Sequence, residues 1–341
     1  MLLAIESSCD ESSVALVEDG RCLDVITSSQ IDAHTVYGGV VPELATREHL
    51  KNLPPITRQL LHRCGISLSD LDAVAATQGP GLPQALLAGL QFGQGIAAAN
   101  NLTFIPAHHH EAHLFSPWMD GAPLGWDFSS IPSFLGLIVS GGHTLLVERQ
   151  GGFRYRIVGG TIDDAAGECF DKAGKMLGLP YPAGPVIDRL AAEGNPVRVR
   201  FPRPMMNKPG FDFSFSGLKT SVRVFLEKNP EFLSSKEDLA DICASIQAAI
   251  VDVLVAKTVK AAISCGQRNV AVSGGVALNR GLRNQMAAAC DAAGLVCRFA
   301  APSLCGDNAL MIGALSEAKW TSGCVGSQDY SWEPRPSWEL D

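Results

Sequence analysis

Charge is scarce in this 341-residue chain, and positive charge is scarcest. Asp, Glu, Lys and Arg make up 18% of it, with 27 Lys and Arg against 35 Asp and Glu, a net charge of −8. That balance excludes a protein that coats nucleic acid through a broadly basic surface, though not one with a local basic patch. Aromatic residues are few, at 7%, yet apolar residues reach 46%. A disordered chain is excluded, and a large core is available. The ten cysteines include no C-x-x-C pair. A secretory signal is also missing: Met1-Leu2-Leu3-Ala4-Ile5-Glu6 has no basic stretch and meets an acid at once. Reduced thiols in a cytoplasmic protein are the expectation. Residues 73–107 contain no Asp, Glu, Lys or Arg. A membrane span is a poor reading of this run, because Gly79, Pro80, Gly81 and Pro83 break it and Gln78, Gln84, Gln91, Gln94, Asn100 and Asn101 interrupt it. It reads instead as the buried core of an α/β domain.

What is abundant is glycine, 34 residues, with 20 prolines and no collagen-like period. Glycine here marks turns and close backbone approaches. The length suggests two domains at about 150 residues each, and the order of elements agrees. Leu2–Ile5, Val14–Val17 and Cys22–Thr27 read as hairpin strands joined by polar turns. Val41–Leu61 has helical periodicity, with a break expected at Pro54-Pro55. Asp72–Ala76 reads as a strand, Gly79-Pro80-Gly81-Leu82 as a tight turn, Pro83–Ala98 as a helix and Leu102–Pro106 as a strand. The order then returns. Phe134–Val139, the turn Ser140-Gly141-Gly142-His143, Thr144–Glu148 and Tyr155–Val158 make a second set of hairpins. Asn269–Val272, Ser273-Gly274-Gly275 and Ala277–Ala293 make a second strand–turn–helix. A divergent internal duplication follows. Small-residue loops of this kind can point successive backbone N–H groups at a phosphate or acyl phosphate, or can merely close hairpins.

Residues 171–228 carry ten Lys and Arg against five Asp and Glu, a local +5 that leaves −13 elsewhere. The segment reads either as a solvated helical face or as a polyanion contact.

Four of the eight histidines fall in His108-His109-His110-Glu111-Ala112-His113. On a helix, His109 and His113 stand at i and i+4, on one face and close enough to share a metal ion, with His110 and His113 the alternative pair. A zincin would need H-E-x-x-H, and the spacing after His110-Glu111 does not supply it. A third ligand must come from elsewhere. Asp307, in Cys305-Gly306-Asp307-Asn308-Ala309, is the candidate, its other reading being a helix N-cap. Two His and one Asp suit iron(II), zinc or manganese.

Ordered motifs along nearly the whole chain carry a resemblance. They are Glu6-Ser7-Ser8-Cys9-Asp10-Glu11, Gly38-Gly39-Val40-Val41-Pro42-Glu43 with Ala45, Arg47 and His49, Gly79-Pro80-Gly81-Leu82, the His109–His113 pair, and Val139-Ser140-Gly141-Gly142-His143-Thr144. Asp163-Asp164-Ala165-Ala166-Gly167-Glu168, Phe170-Asp171-Lys172, Asp212 to Thr220, Ser273-Gly274-Gly275-Val276 with Asn279, and Asp307-Asn308-Ala309 follow in order. Together they resemble the bacterial type of the tRNA N6-adenosine threonylcarbamoyltransferase family, once labelled O-sialoglycoprotein endopeptidase. Departures are small: Gln84 and Ala183-Gly184 stand where the family usually has a small residue and Gly-Gly, and His110 adds a second ligand choice.

The resemblance implies an α/β, actin-like ATPase/sugar kinase/Hsp70 (ribonuclease H-like) fold, with two duplicated lobes around a cleft. We expect an N-terminal lobe of 1–108 plus about 306–330, a C-terminal lobe of 109–305 and a tail of 331–341. The implied reaction moves a threonylcarbamoyl group from threonylcarbamoyl-adenylate to N6 of the adenosine just 3′ of the anticodon, in tRNAs reading codons that begin with adenine, and releases AMP. His109, His113 and Asp307 then hold one divalent metal, iron(II) first, with zinc or magnesium as alternatives. Ile138, Val139, Ser140, Gly141 and Gly142 form the substrate loop, while Asp171, Gly184, Asp188 and Asn279 match adenylate-contacting positions. Asp10 and Glu11 are candidates for assisting proton removal from the adenine amine. The implied partners are tRNA, proteins that make the adenylate, an ATPase subunit and a paralogous actin-fold subunit, with no membrane. Two other classes compete: a metal-dependent hydrolase, which lacks the H-E-x-x-H frame, and a nucleotide-switched binding module, which leaves His109, His113 and Asp307 without a purpose.

Overall fold

The opening apolar run is buried on both faces, as a central strand requires. A computed structural model describes residues 1–340. In it, β1 (Leu2–Glu6), β2 (Glu11–Glu18) and β3 (Arg21–Ser29) form an antiparallel meander. After α1 (Ile31–Thr35) and α2 (Pro42–Cys64), β4 (Ala73–Gly79) pairs parallel with β1 on its other side. Following α3 (Pro83–Asn100), β5 (Thr103–His108) pairs parallel with β4, and α4 (His109–Phe115) leaves its end. The sheet order is β3-β2-β1-β4-β5. The uncharged run 73–107 is therefore β4, α3 and β5. Leu3, Ile5, Val74, Leu90 and Phe104 pack there into one core.

The expected break at Pro54-Pro55 does not occur: α2 runs through both prolines. An interior proline removes an N–H and crowds the carbonyl four residues back, at about 3 kcal/mol. Those carbonyls belong to Leu50 and Lys51, which are exposed, so water can satisfy them. The buried stripe of Ala45, His49, Leu53, Ile56 and Leu60 holds the helix on the sheet.

The second sheet repeats the first. β6 (Phe134–Val139), β7 (Thr144–Gly151) and β8 (Arg154–Gly160) form an antiparallel meander. β9 (Asn269–Ser273) pairs parallel with β6 and β10 (Val296–Phe299) with β9. Its order, β8-β7-β6-β9-β10, is that of the first sheet strand for strand. The helices differ: α5 (Ala166–Met176), α6 (Gly184–Ala191), α7 (Ser216–Lys228) and α8 (Lys236–Ser264) fill the interval between β8 and β9. After β9 a 3-10 turn, Gly275–Leu278, precedes α9 (Arg280–Ala292), so the helix expected from Ala277 begins three residues later. By length and mean hydropathy α8 is apolar enough to cross a membrane, but 67% of that window is buried inside the protein, and it packs on α6, α9 and β6.

After β10 the chain rejoins the first sheet as α10 (Ala309–Thr321), packed on β1, β2 and α4. The two units are thus residues 1–131 with 301–340, and residues 132–300. Two expected boundaries move. Residues 109–131 belong to the first unit, because Lys319 of α10 holds the buried Glu111 of α4 in an ion pair of 2.9 Å. The tail from 331 belongs there too, tied to Gln78 and Gln94.

Half of the bases in segment 171–228 are paired with acids, four of which lie outside it. Lys172 pairs with Asp164 and Glu168, and Arg203 donates twice to Asp252 at 2.9 and 3.0 Å. Arg198 lies near Asp241 and Arg223 near Glu227. Arg200 stays exposed.

Candidate functional site

In the first unit, β5 hands directly into α4, whose start at His109 sets His109 and His113 one turn apart. Asn308 is the N-cap of α10, its side chain accepting from the Met311 N–H at 2.9 Å. This resolves the two readings of Asp307, since the capping role belongs to its neighbour. Asp307 Oδ1 lies 3.1 Å from His113 Nε2 and 3.5 Å from His109 Nε2. Ligand atoms of His109, His113 and Asp307 all fall within 4.8 Å of one another, and both histidines are buried. His110 is not part of this group, so the i, i+4 pair prevails over the i, i+3 pair.

Glu6 is a site residue that the sequence reading did not single out. It is wholly buried at the end of β1, and its Oε2 lies 3.1 Å from His109 Nδ1 and 2.6 Å from Thr77 Oγ1. The Ser8 N–H donates to its other oxygen, and Ser8 Oγ lies 3.2 Å from His109 Nδ1. A carboxylate only accepts, so His109 carries its proton on Nδ1 and turns Nε2 toward Asp307. A carboxylate behind a ligating histidine is the usual outer support of a metal site. The available signal was an acid closing an apolar strand.

The charges favour a cation. Burial alone would push His109 down, but the Asp307 and Glu6 carboxylates outweigh it and raise it to about 9. Burial, then the carboxylates of Asp307, Asp10 and Glu6, push Glu11 up to about 10. His109 and Glu11 thus hold extra protons where a divalent ion would supply positive charge. The donor set fits such an ion, and a mixed N/O set suits first-row divalent metals. Asp10 and Glu11 adjoin this cluster, at the start of β2. Glu11 keeps its proton at neutral pH while no cation is bound.

In the second unit, Ile138 and Val139 end β6, and Ser140-Gly141-Gly142 turns into β7. The turn is closed by the Ser140 N–H donating to the His143 carbonyl at 2.8 Å and the His143 N–H to Ser140 Oγ at 3.1 Å. Gly141 and Gly142 are exposed and have open space where a Cβ would stand. Gly167 packs against the loop, its N–H donating to the Ser140 carbonyl at 3.2 Å. Gly274, at φ +93°, lies against it, where a Cβ would stand 2.4 Å from the Val139 carbonyl oxygen.

The other expected contacts gather on α5, α6 and α9, and each has a structural task. Asp171 Oδ1 accepts from the Ala183 N–H at 2.8 Å, just before Gly184 opens α6. Asp188 accepts from Arg280 Nε at 2.8 Å and from the Arg280 N–H at 3.1 Å. Asn279 caps α9 through the Leu282 N–H at 2.9 Å and donates to Gln247 at 2.6 Å. Its side chain thus fixes the start of α9. These helix ends and the Ser140 loop lie beyond the carboxyl ends of the parallel strands β6 and β9, where open α/β sheets bind ligands.

A model of the tRNA N6-adenosine threonylcarbamoyltransferase family matches residues 21–314. Two proteins named tRNA N6-adenosine threonylcarbamoyltransferase are similar throughout. That of Syntrophotalea carbinolica is 45% identical, covering 100% of this chain and 97% of its own length, and that of Geotalea uraniireducens is 46% identical with the same coverage. Among solved structures, the (R)-2-hydroxyglutaryl-CoA dehydratase component A of Acidaminococcus fermentans aligns over 94% of this chain and 98% of its own, with a TM-score of 0.56 and 15% identity. At that identity the likeness is one of fold, the actin-like ATPase fold.

Proposed function

Because the chain belongs to the tRNA N6-adenosine threonylcarbamoyltransferase family, we propose that it modifies tRNA by moving a threonylcarbamoyl group from threonylcarbamoyl-adenylate to N6 of adenosine 37, beside the anticodon. The adenosine amine attacks the carbamoyl carbonyl, a C–N bond forms, the C–O bond to the adenylate phosphate breaks, and AMP leaves with that oxygen. The amine proton passes to a carboxylate, for which Asp10 and Glu11 are the candidates.

The observation that carries this reading is the buried His109, His113 and Asp307 group with Glu6 behind it, in a chain about 45% identical to enzymes so named. We assign His109, His113 and Asp307 as the ligands of one divalent metal, iron(II) first. When bound, such an ion supplies Lewis-acid polarisation of the carbamoyl carbonyl or of the leaving phosphate. The Ser140–Gly142 loop, whose two glycines are exposed, offers the Gly141 and Gly142 N–H groups to the adenylate phosphate or the developing oxyanion. Asp171 and Asp188 serve the adenylate by fixing the starts of α6 and α9, and Gly184 leaves room at the first of these. Asn279 acts through its cap. We also assign as partners the proteins that make the adenylate, an ATPase subunit and a paralogous actin-fold subunit, in the cytoplasm.

The test supplies those partners, unmodified tRNA, threonine, bicarbonate and ATP, and follows nucleosides by mass spectrometry. Threonylcarbamoyladenosine is expected, and its absence with active partners would sink the proposal. His109→Ala with full activity and full metal would sink the ligand assignment.

A further inference from the structure

The last residues of the chain run as a strap along the first unit, and their contacts converge on the metal centre. Tyr330 donates to the Leu102 carbonyl at 2.9 Å, Gln94 to the Trp332 carbonyl at 2.8 Å and Gln78 to the Glu333 carbonyl at 2.8 Å. The Arg335 N–H returns a bond to the Gln78 carbonyl at 2.8 Å, and the Gly81 N–H donates to the Pro336 carbonyl at 3.2 Å. The contact is so close that a Cβ on Gly79 would stand 2.0 Å from the Arg335 carbonyl oxygen.

From here two routes lead to His109. The first passes through Trp338, whose ring lies 4.7 Å from that of His108 and 4.4 Å from the Arg335 guanidinium carbon. His108 is the N-cap of α4, its Nδ1 accepting from the Glu111 N–H at 3.3 Å, so its position sets the start of the helix that carries His109 and His113. The second passes through the turn pressed by Arg335 and Pro336. There the Leu82 N–H donates to the Ser8 carbonyl at 2.8 Å, and Ser8 Oγ reaches His109 Nδ1.

We propose that the strap 330–340 is a positioning element of the metal centre, with Trp338 its key side chain, setting His109 through the His108 cap and through the Ser8 loop. The proposal rests on the metal reading above. Groups behind a ligand hold it in its ligating orientation, and their loss typically costs 10- to 100-fold in metal affinity. The strap divides its work: Tyr330 and Trp332 pack on the hydrophobic core, whereas Trp338 lies against His108 at the site.

The test uses the full chain, stripped of metal and titrated with Co2+ against a competing chelator, with thermal unfolding measured alongside. Trp338→Ala should weaken Co2+ binding about tenfold, and Trp338→Phe, which keeps a ring against His108, should restore most of the loss. Trp332→Ala, by contrast, should act mainly on the melting temperature. Wild-type affinity in Trp338→Ala, or equal losses in the Ala and Phe variants, would overturn the proposal. Should Trp338→Ala not fold, Arg335→Gln reads the same contact, with weaker binding expected and unchanged binding overturning it. A wild-type protein with no Co2+ binding sensitive to His109→Ala would remove the metal reading itself, a result distinct from a refuted strap.

Discussion

With His109 assigned as a metal ligand, metal uptake should be steeply pH-dependent, because His109 must lose a proton first. With its pKa at about 9 in the metal-free protein, roughly one molecule in a hundred has His109 neutral at pH 7. Apparent affinity for Mn2+ or Co2+ should therefore rise about tenfold per pH unit from 7 to 9 and level off above. The full span, about 100-fold, corresponds to about 2.7 kcal/mol. Chelator competition at half-unit steps of pH measures it, once the chelator's own protonation is taken into account. The stability of the metal-free protein must move the other way. A histidine whose pKa is raised on folding contributes stability that is fully present below about 6.5 and is lost as pH rises through about 9. Glu11, raised from 4.5 to about 10, adds to the fall over its own window, since the native state there holds a proton the unfolded chain has released. The melting temperature of metal-free protein should thus drop between pH 6 and 9, and saturating metal should flatten the part due to His109. An affinity that stays level between pH 7 and 8.5 would refute the placement of Asp307 and Glu6 around a protonated His109.

Three further outcomes follow from the contacts. Glu6→Gln keeps the shape but removes the acceptor charge behind His109, and metal affinity should fall 10- to 100-fold by chelator competition. Asn279→Ala removes the α9 cap and leaves Gln247 without its donor, so chemical denaturation should show a loss of about 1 kcal/mol. Arg200→Glu should weaken tRNA binding and reduce its salt slope by about one, whereas Arg203→Glu should lower the melting temperature because it breaks the double bond to Asp252.

The parts of this molecule governed by local spacing were readable in advance. The hairpin strands, the repeated strand–turn–helix and the i, i+4 histidine pair all rest on periodicity within a dozen residues, and the two sheets repeat one order. Asp307 was readable only as a choice, because the residue that takes the cap, Asn308, stands next to it and has the same capping chemistry. Glu6 was opaque, since its partners Thr77 and His109 lie 71 and 103 residues away. The start of α9 was misplaced because its apolar pattern begins earlier, at Ala277, whereas Asn279 caps it. Pro54 and Pro55 misled for a similar reason: a proline rule is local, while the stripe that keeps α2 intact is set by the sheet beneath it. The boundary near residue 131 depended on where α10 docks, a long-range fact.

The return of α10 to the first sheet fixes the order of events during synthesis. The first 131 residues leave the ribosome without the helix that covers β1 and β2, and residues 132–300, a contiguous unit, must be made before it follows. At about 5–20 residues per second, the wait is roughly 10 to 30 s. Over that interval the nascent first unit presents an uncovered apolar sheet face, the kind of surface that chaperones guard. Asp307 likewise emerges after His109 and His113, so the three side chains come together only once residues 132–300 have been made.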